Sequence, residues 1–254
     1  GEIRLQVNQL SSSNPRSFQN ISLTLRRGEI LGIGGLVGAQ RTEFIEALFG
    51  LRDIVSGSIE INGQALPVRS SRDAIRHGIG LITEDRKAQG LLLPQSIRVN
   101  TSLSHLGSVS GGGWLNRSRE AQLAKQMVQR LRVRAVNAEQ PVGTLSGGNQ
   151  QKVIFARWLH RDCPVVLLDE PTRGVDVGAR ADLYAEINTM THQGKAVMVV
   201  SSDLRELMEL CDRIAVMYQG RIVATFERGA WSQQALLAAA FGDVTAQVPA
   251  AAAA

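Results

Sequence analysis

Val165-Val166-Leu167-Leu168-Asp169-Glu170-Pro171-Thr172, taken with Leu145-Ser146-Gly147-Gly148-Asn149-Gln150-Gln151-Lys152 upstream, decides how the rest of the sequence is read. Four apolar residues ending in two carboxylates are the pattern of a strand buried on both faces that delivers acids to the carboxyl edge of a parallel sheet, where open α/β folds bind ligands. An acid at that edge can hold Mg²⁺ or orient a water. Ser146-Gly147-Gly148 opens a helix through Val153 to Leu159, and the free amides of a helix start favour an anion such as phosphate. Each stretch alone also has a plainer reading, the first as a core strand with solvated acids and the second as an ordinary helix cap.

Working outward, Glu29 to Gly34 reads as a buried strand feeding Gly35-Leu36-Val37-Gly38-Ala39-Gln40-Arg41-Thr42, with a helix from about Thr42 to Phe49 ended by Gly50. Position by position this is the phosphate loop G-x-x-x-x-G-K-[ST], with Gln40 for the second glycine and Arg41 for the lysine. The departures matter physically: glycine permits positive φ and close backbone approach, and a guanidinium is larger and flatter than the ammonium that threads between phosphates. Thr42 keeps a hydroxyl suited to Mg²⁺. Gly35, Gly38, Ala39, Gln40, Arg41, Thr42 and Glu43 are therefore candidate nucleotide contacts, while on this motif alone a loop that binds no nucleotide stays open.

The LSGGNQQK and LLDEPTRGVDVGA stretches together resemble the signature helix and Walker B/D-loop of ABC-transporter nucleotide-binding domains. More narrowly, the chain looks like the second ATPase half of bacterial sugar importers of the ribose, arabinose, xylose and galactose type, which resemble it in placing Arg where Arg41 stands. That resemblance implies an α/β P-loop NTPase core with an antiparallel β subdomain and an inserted helical subdomain at about 95–160, within one nucleotide-binding domain spanning 1–245. It implies ATP and Mg²⁺ as ligands, with Thr42 and Asp169 on the metal and Glu170 polarising a water. Hydrolysis in the family occurs between two domains facing head to tail, so Ser146, Gly147 and Gly148, with Asn149 and Gln150, would act on a nucleotide held by a partner, and Asp176 falls in the D-loop. The chain's own pocket departs from the family pattern. Glu84 stands where a glutamine usually senses the γ-phosphate, Ser202 where a histidine usually bonds it, and the loop Ser11 to Arg16 lacks the aromatic that stacks on adenine. Phe18 falls instead where a buried apolar residue is usual.

The resemblance thus implies an ABC-type ATPase whose degenerate site binds weakly, whose isolated chain is nearly inactive, and which supplies the signature to the first ATPase half. Its expected partners are that half, permease membrane subunits through the charged loop Glu84 to Leu93, and indirectly a sugar-binding protein, at the cytoplasmic face of the bacterial inner membrane. Two alternatives stay open: a soluble ABC ATPase acting on nucleic acid or ribosomes, and a non-hydrolytic nucleotide-sensing domain. The first is suggested by a formal charge of +5, but the basic residues are scattered and aromatics are only 4% of the chain, so no nucleic-acid partner is expected.

With 254 residues, 44% of them hydrophobic, the chain can bury a sizeable α/β core, and no apolar run approaches the roughly 20 residues of a membrane helix. Cys163 and Cys211 lack metal-ligand spacing and read as reduced core residues. Ile3 to Val7 and Ile21 to Leu25 alternate like strands, Asn62-Gly63 signals a hairpin, and Ile97 to about Val133 turns helical around a flexible loop from Gly107 to Gly113. Gly1, where an initiator methionine would stand, makes a fragment of a longer protein the expectation, and the tail 246–254 with its alanine run is expected to lie outside the fold.

Overall fold

Val165–Asp169 forms a strand buried at every position, inside a six-stranded sheet. Across that sheet the order is Arg221–Glu227, Arg213–Tyr218, Ile30–Gly34, Ala196–Val200, Val165–Asp169 and Ile79–Ile82. Ala196–Val200 is parallel to both its neighbours, with Val200 level with Ile33 on one side and Asp169 on the other. Near-continuous runs of Val, Ile and Leu suit strands covered on both faces. Helix Arg41–Leu48 packs on two of them, Val165–Asp169 and Ala196–Val200, and helix Leu204–Leu210 packs on Ile30–Gly34. Gly32 permits the second approach, since a Cβ there would lie 2.8 Å from Cys211 Sγ.

A computed structural model of the chain describes residues 1–67 and 69–243, so the expected tail 246–254 lies outside the described residues. The chain divides into two units, the first made of Gly1–Leu81, Pro164–Glu170 and the residues from Met190 on, the second of Ile82–Cys163 and Pro171–Thr189. Besides the six-stranded sheet, the first unit holds an antiparallel layer ordered Ile21–Arg26, Ile3–Ser12, Ile54–Ile61, Gln64–Ala65. The strand from Ile3 is longer than its alternation predicts. Ser11 and Ser12 look like loop by composition but are buried strand residues, reached across a register irregularity around Gln9, whose φ is 47°. Asn62 and Gly63, both at positive φ, form the expected two-residue hairpin turn. Phe18 is fully buried edge-on against Phe44, with ring centroids 5.7 Å apart.

The second unit is built on helices Ile97–Ser102, Arg117–Arg130, Gly147–Arg161 and Val177–His192. The loop expected from Gly107 to Gly113 is a 3-10 turn, Leu103–Val109, followed by a hairpin in which Ser110–Gly111 pairs with Trp114–Leu115. Its two turn residues, Gly112 and Gly113, have φ of 58° and 84°, so a glycine run that suggests slack chain is a tight turn. The Arg117–Arg130 helix hides a carboxylate: Glu120 is 3% exposed, accepts from Ser102 Oγ at 2.6 Å and pairs with Arg98, whereas Leu123, Met127 and Val128 are only half-buried. Asn100, at 0% exposure, is a second polar centre. Its Nδ2 donates to the Leu92 and Ser96 carbonyls, its Oδ1 accepts from the Leu92 amide and Arg157 Nη2, and Arg157 Nε donates to its backbone carbonyl. Burial pulls the Arg157 guanidinium down to about 10. Cys163 and Cys211 are free and buried.

Candidate functional site

Three segments of the first unit leave the carboxyl edge of the parallel strands together: Gly34-Gly35, Asp169-Glu170 and Ser201-Ser202. The Glu170 amide donates to the Val200 carbonyl at 2.9 Å, and the Ser201 amide donates to that of Ile33 at 3.3 Å, which extends the ladder past the strand ends. Gly35 is required by close approach, because a Cβ there would meet the Met217 carbonyl oxygen at 2.4 Å. Gly38 is exposed, whereas Ala39 is buried and its carbonyl accepts from the Gly220 amide. Gln40 takes φ 72° and ψ 27°, the left-handed conformation that glycine normally supplies, so the loop keeps its backbone course despite the substitution. The Gln40 side chain folds back, Nε2 donating to the Gly38 carbonyl at 3.2 Å.

The helix then starts at Arg41, whose guanidinium is turned inward. It is 8% exposed, Nη1 donates to the Leu36 carbonyl at 3.3 Å, and Nη2 lies 3.6 Å from Glu170 Oε1. Burial lowers the Arg41 pKa, opposed by Glu170, Asp169 and Glu43, the last half-buried in the first helical turn. Glu170 itself sits at φ 46°, and its Oε1 accepts from the Ser202 amide at 2.7 Å. Ser202 therefore meets Glu170 through its backbone amide.

Thr42 Oγ1 donates to Asp169 Oδ1 at 3.2 Å. Asp169 is 2% exposed, and its carboxyl is pushed up to about 7, first by burial and then by Glu170 and Glu46, against the pull of Thr42 and Arg41. A hydroxyl and a carboxylate short of positive charge, side by side at a helix start, are hard oxygen donors of the kind that suits Mg²⁺.

The remaining candidates stand in the second unit. Ser146 is the exposed N-cap of the Gly147–Arg161 helix, its Oγ accepting from Asn149 Nδ2 at 2.8 Å, a role that does not use its own proton. Asn149 Oδ1 accepts from the Arg134 amide at 2.7 Å, so this residue braces both Ser146 and the preceding loop. The glycines serve packing within the unit: a Cβ on Gly148 would lie 2.7 Å from Ala179 Cβ, and one on Gly147 would lie 3.1 Å from Arg86 Nη2. Ser146 is thus exposed at the helix start, whereas Gly148 is buried beside Ala179 and Asp176. Gln150 also departs from expectation. It is 5% exposed, and its amide donates to the Val142 and Leu145 carbonyls, which makes it a support of the loop before the helix rather than an outward contact.

Asp176 Oδ1 accepts from the Ala179 amide at 3.0 Å, and this bond, the largest influence, holds its carboxyl below the usual range. A cleft of about 780 Å³ opens among Ser146, Asn149, Asp176 and three cations, Arg132, Arg134 and Lys152. Those cations went unremarked in the sequence, although Lys152 closes the quoted LSGGNQQK stretch; it is 4% exposed and bonds Asp182 at 2.6 Å. Glu84 is ion-paired with Arg173, whose carbonyl accepts from Arg86 Nη1 at 2.9 Å. Asp85 caps a π turn at Arg86–Gly90 by accepting from the Lys87 and Ala88 amides. Of the next two leucines, Leu91 is buried and Leu92 exposed, so the loop offers less apolar surface than its sequence suggests.

A family model described as ABC transporter matches residues 18–173. Among curated relatives, a putative ribose/galactose/methyl galactoside import ATP-binding protein of Rhizobium meliloti (strain 1021) is 44% identical over 93% of this chain and 47% of its own length. The ribose import ATP-binding protein RbsA of Geobacillus kaustophilus (strain HTA426) is 41% identical over 95% of this chain and 49% of its own. The chain spans about half the length of the curated relatives it matches. Among solved structures, a nucleotide-free ATP-binding cassette from an ABC transporter shares the fold with a TM-score of 0.78 at 16% identity, covering 97% of this chain and 96% of that one. The ADP conformation of another ATP-binding cassette of an ABC transporter gives 0.80 at 16% identity, covering 96% of this chain and 99% of that one.

Proposed function

Because this chain belongs to the ABC transporter family, we propose that it is one ATP-binding half of the energising subunit of a bacterial sugar importer, the half whose own nucleotide site is degenerate and whose signature helix completes its partner's. The chain's two clusters are unequal, and this carries the reading. In the first unit Arg41 is buried against Glu170 and the Leu36 carbonyl, so the cation that would meet phosphate neutralises the carboxylate that would polarise water. In the second unit Ser146 stands exposed at a helix start, its hydroxyl braced by Asn149, beside a cleft lined by Arg134 and by Arg132 and Lys152, both paired with Asp182. The import named in the relatives' descriptions supports the transport context and does not single out a sugar for this chain.

In this reading nucleotide binds loosely at the Gly35–Thr42 loop, without an aromatic for adenine, since Phe18 is fully buried. Thr42 and Asp169 would hold Mg²⁺, which would supply charge neutralisation for the β- and γ-phosphates. Ser146 donates a hydrogen bond to the γ-phosphate on the partner half, aided by the amides of the helix start. The segment from Glu84, anchored by the Arg173 pair and the Asp85 cap, faces the permease at the cytoplasmic side of the inner membrane.

Ranking two substitutions tests the assignment. The isolated chain should hydrolyse ATP at close to background, and fusing it to an intact first half should restore turnover. In that fusion, Ser146→Arg should lower turnover by roughly 10²-fold or more, as expected for loss of a charge-stabilising donor, while Glu170→Gln leaves most of it. The opposite ranking would make the Arg41–Glu170 pocket the working site and end this reading.

A further inference from the structure

Between Arg86 and Arg119 the sequence holds five basic residues and no acidic one, so this stretch carries as much positive charge as the chain's whole formal excess of +5. Part of that charge is committed within the protein: Arg98 pairs with Glu120 and Glu139, and Arg86 bonds the Arg173 carbonyl. Arg117 and Arg119 are exposed and directly follow the hairpin Ser110–Leu115. Glu139, which also feels Arg117, is already held by Arg98.

At this hairpin the apolar side chains turn outward. Trp114 is 82% exposed and Leu115 52%, and Leu103 and Leu106 on the preceding turn are both exposed. The base beneath them is firm. The Asn116 amide donates to the Val109 carbonyl at 2.8 Å, Ser110 Oγ donates to the Leu106 carbonyl at 2.7 Å, Val109 is 3% exposed, and Gly112-Gly113 closes a two-residue turn. Trp114 is thus held in solvent by structure, which is unfavourable unless something covers it.

The geometry points to a lipid contact. Trp114 and Leu115 enter the headgroup region of an anionic bilayer, and the Arg117 and Arg119 guanidiniums meet its phosphates. An amphipathic indole beside leucines and cations is the composition found at membrane interfaces. A protein partner fits less well, because a stable interface needs roughly 800 Å² per side with mixed polar groups, and this hairpin pairs only two residues a strand, followed by the exposed cations Arg117 and Arg119. The inference rests on the importer reading only for bringing the chain to a membrane, and vesicle binding fails or succeeds independently of nucleotide binding.

The test uses the full chain with vesicles of phosphatidylethanolamine and phosphatidylglycerol, against phosphatidylcholine vesicles. Cosedimentation, a blue shift of tryptophan emission and quenching by lipids brominated along the upper acyl chain are expected on the anionic vesicles. Trp158 is 8% exposed and Trp231 half-buried, so Trp114 should dominate these signals. Trp114→Ser with Leu115→Ser should abolish shift and quenching and weaken binding roughly tenfold, at unchanged thermal stability. Arg117→Glu with Arg119→Glu should weaken it at least as much, roughly thirtyfold or more. Binding by the Trp114/Leu115 variant equal to that of the unmodified chain would overturn the inference, as would salt-sensitive binding without an emission shift. Capture of permease rather than lipid by a photocrosslinker at Trp114→Cys in the assembled transporter would overturn it too.

Discussion

Gln40 and Asp169 show how single residues carry the tension in this site. Gln40 holds a left-handed conformation that disfavours side chains by about 1–2 kcal/mol, so Gln40→Gly should leave stability unchanged or raise it by up to ~1 kcal/mol. Gln40→Val, β-branched at the same φ, should lower it by about 1–2 kcal/mol or more, and chemical denaturation of the pair would separate them. Asp169 has its pKa raised from 3.8 to about 7. The folded chain therefore binds this proton more readily than the unfolded one, and stability falls as pH rises from about 4 to about 7. Asp169→Asn removes that slope, so the variant should gain stability over the parent at pH 8, by on the order of 2–4 kcal/mol, and little at pH 4. A gain confined to acid pH would contradict the burial argument.

Among the elements, the Gly147–Arg161 helix is tied to the Leu92–Ser96 segment by the Arg157–Asn100 node. Arg157 is buried with amide and carbonyl partners, and its lowered pKa reflects that burial. Asn100→Ala leaves the Leu92 amide and carbonyl without those partners and should destabilise the chain by about 2–4 kcal/mol, with faster hydrogen exchange at Leu92. Arg157→Lys keeps a charge without the fork that reaches both Asn100 oxygens, so it should fall between parent and Arg157→Ala. Unchanged exchange at Leu92 in Asn100→Ala would show that the segment is fixed by other contacts.

At the scale of the whole molecule, two groups bend the dependence of stability on pH in opposite senses. His160, lowered below 6.5 by burial and then by neighbouring His105, disfavours protonation in the folded state, so stability falls as pH drops below about 6.5. Asp169 tilts stability the other way over an overlapping range, so His160→Gln should leave the fall in stability between about pH 4 and about pH 7 steeper in thermal melts. The sheet was legible because runs such as Ala196 to Val200 leave little choice between strand and helix, and the phosphate-loop spacing survives two substitutions. Less legible were features that depend on what a side chain meets. The serines at 11 and 12 look like loop until a bulge carries the strand past them, Gln150 looks like a ligand contact until it turns to local carbonyls, and Glu120 shows no sign of being buried until Ser102 and Arg98 are found beside it. The left-handed Gln40 bears on reversibility. In a phosphate site the backbone course depends on many residues and a side chain on one, and here the left-handed course is present with glutamine in the glycine position. The loop proposed to bind nucleotide loosely therefore keeps the backbone a tighter one needs, and Gln40→Gly with Arg41→Lys should raise Mg-ATP affinity roughly tenfold or more without any repair to the surrounding fold.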